Sequence, residues 1–341
     1  MPPDQSRALP DHPTLATALT ADRFGPADQV IRAVTAPLPA PAPGQVALSL
    51  IAASINPSDL ISLSGAYAAR LSLPMVGGYE SVARVIACGP GVTGLAPGDR
   101  VWPLGGPGAW ASARLADADW CIRVDPRLGD DQAATAYVNP LTAWLMLDDA
   151  QITPQTRLVV SAAGSVIGRM ILRLATRRGL RPVAVLRSPA SVGRLAGLDL
   201  AGIITDPDPG PALSRVWGGA GADLALDCVG GATGHALMAA LRPGGRLVHY
   251  GLLSGQPIGT SQPLRRDVTF QLFVLRNWVH ARPRAELAAA MADLVPLILD
   301  GTLATKVAGR MPLGQFGDAL ARLAEPGRDG KWLLIPDAPC R

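Results

Sequence analysis

Three stretches of the chain carry side chains whose types and spacing could do chemistry. In "VGGYESVARV", residues 76–85, a phenol, Tyr79, stands beside a carboxylate, Glu80, in an apolar and glycine-marked run. Such a pair suits a metal site, an acid–base site, or only a turn into a strand. In "RLVVSAAGSVIGRMILRLA" a β-type run, a turn of small residues and a helical run follow one another. That is the context in which the N–H groups at a helix start meet a pyrophosphate. The glycine fingerprint is degenerate there: Ala163 and Ser165 hold its first two positions, and Gly168 keeps the third, where a helix packs closely on a sheet. A literal match, Gly89, Gly91 and Gly94 in "GPGVTG", leads into "LAPGDRV", where Pro97 and Gly98 stop any helix, so it is a decoy. The next strand, "RPVAVLRSP", ends at Arg187, where a carboxylate would otherwise bond a ribose 2′-hydroxyl. A guanidinium pairs instead with a 2′-phosphate, Ser188 being a second donor, which predicts NADP(H). The alternative is an arginine that only solvates a strand end.

These stretches need elements to position them. From about residue 14 to 138, short β-type runs ("QVALSLIAASI", "SVARVIACG", "DWCIRV") alternate with Pro- and Gly-rich punctuation. From about 140 the rhythm becomes strand and helix in turn, which means a parallel sheet with crossover helices. The final β-like "KWLLI" is expected to return to the first domain. With 341 residues, 48% of them hydrophobic, the chain exceeds one core. Two domains are therefore expected: 14–138 completed by 303–341, and 139–302. The net charge of +4 comes from scattered basic residues, which predicts no nucleic-acid partner. Four distant cysteines, Cys88, Cys121, Cys228 and Cys340, build neither a disulfide framework nor a zinc module, and a reducing cytoplasm is expected. No run reaches the ~18 apolar residues of a membrane span and no leader pattern opens the chain, so a soluble, untargeted protein is expected. Residues 1–13, rich in Pro and Asp, read as a loose extension.

Taken in order, "INPSDL", "GAY", "LPMVGGYESVARV", "GVTGLAPGDRV", "VNPLTAWLML", "ALDCVGG" and "HYG" resemble the medium-chain dehydrogenase/reductase superfamily. Within it the chain is similar, from about residue 20 onward, to the zinc-free enoyl thioester reductases of the mitochondrial 2-enoyl reductase type. The resemblance implies an α/β fold: a GroES-like, β-rich catalytic domain plus a Rossmann doubly wound parallel-sheet cofactor domain. It also implies a homodimer joined at the sheet edges through "RRDVTFQLFVL". Zinc-dependent relatives have Gly-His-Glu where this chain has Gly78-Tyr79-Glu80, and a Cys in the segment held here by "INPSD"; no zinc is expected, and Glu80 becomes a buried or interdomain hydrogen-bonding group.

Without a metal, hydrogen bonds must hold the substrate oxygen and an acid must serve the carbon that receives no hydride. The resemblance gives that acid role to Tyr67, in "SGAY". It implies cofactor contacts from Asn139, Thr142, Gly164, Ser165, Val166, Ile167, Gly168, Arg187, Ser188, Tyr250, Gly251, Leu252, Phe273, Val274 and Leu275, with a late ionic contact from Lys331. The implied substrate pocket holds Asn56, Tyr79, Val274 and Trp278. Three departures bear on it: the family's Phe-Trp is Phe273-Val274 here, its common Asn or His after "GG" is the bulkier Tyr79, and its "GTWR" is Gly108 to Ala111, without the basic side chain. The expected activity is NADPH-dependent reduction of an activated C=C bond in an enoyl thioester or enone, with hydride to the β carbon and a Tyr67-assisted proton to the α carbon. Quinone reduction on the same fold, or a catalytically silent NADPH-binding role, are the alternatives. The expected partners are that small molecule and a second copy, with no membrane. The expected site is the cleft between the two lobes.

Overall fold

The computed structural model describes residues 15–259, 264–325 and 327–337; the extension expected over 1–13 and Cys340 lie outside them. The chain divides into two compact units, one of residues 1–138, 279–296 and 305–341, the other of 139–278 and 297–304. Segment 279–296, placed by sequence in the cofactor domain, thus groups with the first unit.

In the first unit the strands are β1 Leu15–Ala21, β2 Ile31–Pro37, β3 Gln45–Ser54, β4 Met75–Val76, β5 Ser81–Cys88, β6 Arg100–Pro103, β7 Ala113–Asp117 and β8 Cys121–Arg123. In the second they are β9 Leu158–Val160, β10 Val183–Val185, β11 Gly202–Ile204, β12 Ala222–Asp227, β13 Leu241–His249 and β14 Thr269–Leu272. The chain returns to the first unit with β15 Val307–Pro312 and β16 Lys331–Ile335.

The larger sheet of the first unit runs β15-β16-β3-β5-β6-β8, with β7 also paired to β3, and β2-β1-β4 forms a smaller one. "KWLLI" returns as expected, since β16 pairs antiparallel with β3 through Leu333 opposite Ser54. A buried core joins Leu19, Leu50, Ile55, Leu63, Met75, Trp110, Phe316 and Leu334, the Trp110 and Phe316 rings lying 4.9 Å apart. Trp110 explains the paired glycines of "VGGYE". Its indole lies so close to Gly77 and Gly78 that a Cβ on either would overlap it, and Gly78 also has φ +81°.

In the second unit the sheet order is β11-β10-β9-β12-β13-β14, with every pairing parallel. Strands buried on both faces read as unbroken apolar runs, and "LVV", "VAV" and "LAL" are such runs. The registers align Val160 with Ala184 and Leu226, Asp227 with His249, and His249 with Leu272, so these strands end at one edge. Two elements differ from the sequence reading. "ASVGRLAGL" is no α-helix: Pro189 and Gly193 cut it to the 3₁₀ turn Pro189–Leu195. "RPGG", read as the tail of the helical run "GHALMAALRPGG", belongs instead to β13, which starts at Leu241.

Candidate active site

At the carboxyl edge of the parallel sheet, β9 runs through Ser161, Ala162, Ala163 and Gly164 into the helix Val166–Arg177. Ser165 caps this helix, its hydroxyl accepting the Gly168 N–H at 3.1 Å. Ala162 adopts φ +45°. A Cβ at Gly168 would come within 2.6 Å of the Ala162 oxygen and 2.8 Å of the Ala163 Cα, so the helix can seat against the turn only with glycine there. The turn leaves helix N–H groups directed at whatever lies beyond the strand ends, a built preference for an anion. Arg187 and Ser188 follow β10 at the same edge; Arg187 is exposed, and Ser188 accepts the Ala190 N–H at 3.3 Å. Gly164 packs on this segment, since a Cβ there would stand 3.2 Å from Leu186 and Ser191 side-chain atoms.

Behind the turn lies a buried polar cluster that the sequence reading missed. Asp227, at the end of β12, accepts from Ser161 Oγ at 2.7 Å, Val229 N at 3.1 Å and Gly230 N at 2.9 Å, and lies 2.9 Å from His249 Nδ1. Burial alone would raise its pKa, but hydrogen bonds from His249, Ser161 and the two backbone N–H groups hold it below the usual carboxylate value. The cluster sets the next backbone segment: Tyr250 N donates to the Asp227 oxygen at 2.8 Å, and Leu253 N to the Cys228 oxygen at 2.9 Å. Tyr250, Gly251 and Leu252 are half-buried there, as are Phe273, Val274, Leu275 and Trp278 beyond β14; Phe273 N donates to the His249 oxygen at 2.8 Å. "ALDCVGG" and "HYG" contain the pair, yet spacing gives no sign that residues 22 apart would meet; only the parallel register of β12 and β13 does that. Asn139 and Thr142 lie in the first turns of the helix Val138–Asp149, Asn139 half-buried and Thr142 buried.

In the first unit, the turn of the opening motif is wired into a second buried cluster. Glu80 Oε1 accepts the N–H groups of Tyr137 and Val138 at 2.9 and 2.8 Å. Its Oε2 accepts from Asn56 Nδ2 at 2.9 Å and from the Ser54 hydroxyl, and lies 3.5 Å from Lys331 Nζ. The Lys331 ammonium also donates to Asn56 Oδ1. Asp59, in the first turn of the helix Pro57–Leu63, accepts the Asn56 N–H at 2.6 Å and the Tyr79 N–H at 3.1 Å. Burial pushes its carboxyl up to about 7.

Two sequence expectations are corrected here. Lys331 is no free ionic contact for a cofactor: its side chain is 5% exposed and its ammonium is given to Asn56 and Glu80. Asn56 is no pocket wall; it is 1% exposed and its amide is spent on Lys331, Ser54 and Glu80. Glu80 is the buried hydrogen-bonding group expected. Tyr79 is half-buried. Tyr67 lies past the helix Pro57–Leu63 and is 38% exposed, after a turn fixed by Gly65 (φ +91°), where a Cβ would stand 3.2 Å from that of Phe24. The Gly89-Gly91-Gly94 decoy falls in the loop between β5 and β6, away from any helix start.

A β-rich unit carrying phenols and buried carboxylates, joined to a parallel-sheet unit with an anion-seeking edge, defines a class of oxidoreductase, and comparison with known proteins places the chain in it. The alcohol dehydrogenase GroES-like domain family matches residues 42–126, and the zinc-binding dehydrogenase family matches 204–334. The mitochondrial enoyl-[acyl-carrier-protein] reductases of Bos taurus and Homo sapiens are each 31% identical to it over 98% of this chain and 92% of their own length. A Bacillus thuringiensis protein provisionally assigned as an NADPH:quinone reductase superposes with a TM-score of 0.87 at 29% identity, over 95% of this chain and all of its own. A mycobacterial protein solved with NADPH gives 0.83 at 25%, over 94% and 100%. The chain belongs to the medium-chain dehydrogenase/reductase superfamily.

The second family's description raises the question of zinc. Glu80 has both oxygens committed to N–H, amide and hydroxyl donors with an ammonium alongside, which is not the donor set of a divalent cation. Among the described residues no three His, Cys, Asp or Glu side chains gather as ligands. The residues at this position do not fit zinc.

Proposed function

We propose that the protein reduces activated C=C bonds of trans-2-enoyl thioesters or enones with NADPH. The observation that carries this reading is the seat at the carboxyl edge of the parallel sheet, where Gly168 has no room for a Cβ and Arg187 stands exposed at the end of the next strand. Gly164 to Gly168 would hold the pyrophosphate, Arg187 and Ser188 the 2′-phosphate, and Tyr250 to Leu252 with Phe273 to Leu275 the nicotinamide end. Asn139 and Thr142 are further contacts. NADPH, when bound there, would supply the hydride for the β carbon of the acceptor. Tyr67, a residue 38% exposed, would then deliver a proton to the α carbon and be recharged from water. Tyr79, Val274 and Trp278 shape the acceptor's surroundings. The names of the curated relatives and the NADPH-bound neighbour support both halves.

Quinone reduction is the second reading, favoured by the Bacillus thuringiensis neighbour's assignment. It has no need of Tyr67. The two separate when NADPH oxidation is followed with a crotonyl thioester, a simple enone and a quinone, in the wild type and in Tyr67→Phe. The proposal expects thioester or enone turnover that falls roughly a hundred-fold or more in the variant. Turnover of quinone alone, untouched by the substitution, contradicts it.

The reading includes a homodimer paired through β14, the sheet's edge strand, where Phe270 is 38% and Leu272 62% exposed. It also includes a reducing compartment, consistent with free thiols at Cys88, Cys121 and Cys228. No helix among the described residues is long and apolar enough to cross a membrane.

A further inference from the structure

We infer that Lys331 is the built-in counter-cation of the buried Ser54–Asn56–Asp59–Glu80 cluster and, through it, the positioning residue for the two phenol-bearing segments of the first unit, those of Tyr67 and Tyr79. The inference rests on the proposed function in giving those segments to the acceptor. Its structural part stands alone.

The chain of contacts is continuous. Lys331 Nζ donates to Asn56 Oδ1 and lies 3.5 Å from Glu80 Oε2, the two side chains being 5% and 0% exposed. With Oδ1 held by the ammonium, the Asn56 amide is fixed in one orientation, because only then does Nδ2 face Ser54 Oγ and Glu80 Oε2, each at 2.9 Å. Asn56 opens the helix Pro57–Leu63, and Asp59 in its first turn ties Asn56 N to Tyr79 N. That helix leads through Gly65 to Tyr67, and its Leu63 oxygen accepts from Gly25 N at 2.8 Å. One ammonium therefore fixes the side chain of Asn56, the residue whose backbone N–H Asp59 binds together with that of Tyr79 and at which the helix toward Tyr67 begins. Remove it and a carboxylate is left buried beside an amide free to turn over. None of Ser54, Asn56, Asp59, Glu80 and Lys331 is among the residues given to NADPH, so the loss should spare its binding.

The test uses the full-length protein with Lys331→Met, which keeps the stem and drops the charge, and Lys331→Ala, which opens room for a small amine. Hydrogen exchange should quicken in peptides spanning 56–67 and 76–81 of both variants, with 166–177 unchanged. With NADPH and a crotonyl thioester, kcat should fall roughly ten- to a hundred-fold while the Kd for NADPH stays within about two-fold. Ethylammonium should restore protection and turnover to Lys331→Ala and raise its Tm, while ethanol, of like size and uncharged, should do neither. Should Lys331→Met fail to fold, Lys331→Met with Glu80→Gln removes both charges and is expected to fold, with the two segments still exchanging fast. Wild-type exchange in Lys331→Met or in that double variant, or rescue by ethanol equal to that by ethylammonium, overturns the inference. If the wild type itself turns over no acceptor, the functional proposal falls, and the exchange and Tm results decide this one without it.

Discussion

Asp59 shows how a single buried group makes a measurable claim. Burial lifts its pKa from 3.8 to about 7, against the lowering pull of the Asn56 N–H, the Lys331 charge and the Tyr79 N–H. Between about pH 4 and 7 the folded chain holds a proton that the unfolded chain has released. The stability tied to that proton is full below about pH 4, drains as pH rises and is gone above about 7. Asp59→Asn has no such proton, so wild-type stability measured against it should fall with pH by up to about 1.4 kcal/mol per unit in that window. Urea unfolding of both proteins at about pH 5 and about pH 8 checks this; a constant difference would mean that Asp59 is ionised throughout. The sequence draws attention to Tyr79 and Glu80 but does not show what holds them. Lys331 and Asn56 are 275 residues apart, and no local pattern records that β16 brings one to the other. The family resemblance alone implies an ionic cofactor contact for Lys331 and a pocket wall for Asn56, whereas the fold spends both on the buried cluster.

At the scale of elements, the strand–turn–helix at 158–177 was legible because its signal is local: an unbroken apolar strand, small residues, then a helical period. Gly168 was legible for the same reason, and the structure supplies the cause in the Ala162 oxygen 2.6 Å from a would-be Cβ. Gly168→Ala should push the helix off the turn and weaken NADPH binding about ten-fold or more, which corresponds to at least about 1.4 kcal/mol. A fluorescence titration reads this, with far-UV circular dichroism as the check on folding; unchanged affinity would mean that the cofactor does not use this turn. Elements shaped by partners were less legible. The start of β13 at Leu241 depends on pairing with Ala222, and "RPGG" taken alone reads as the tail of the helical run before it. The paired glycines of "VGGYE" answer to Trp110, an indole more than thirty residues away in sequence.

For the whole molecule, the alternation of rhythms along the chain was enough to find a β-rich unit and a parallel-sheet unit, since each rhythm has one economical layering. Where a second copy would sit follows from the edge rather than from the rhythm: β14 ends the sheet with Leu272 62% exposed, and an uncovered apolar edge invites pairing. Leu272→Lys should turn a dimer into a monomer in light scattering, and a wild type that is already monomeric contradicts that part of the account. The central claim is the fate of the hydride, and deuterium-labelled NADPH follows it directly. With label at the nicotinamide C4 position and a crotonyl thioester as acceptor, mass spectrometry of the saturated product should place one deuterium on the β carbon and a solvent-derived proton on the α carbon. Label at the carbonyl carbon, or NADPH consumed with no saturated thioester formed, would contradict it.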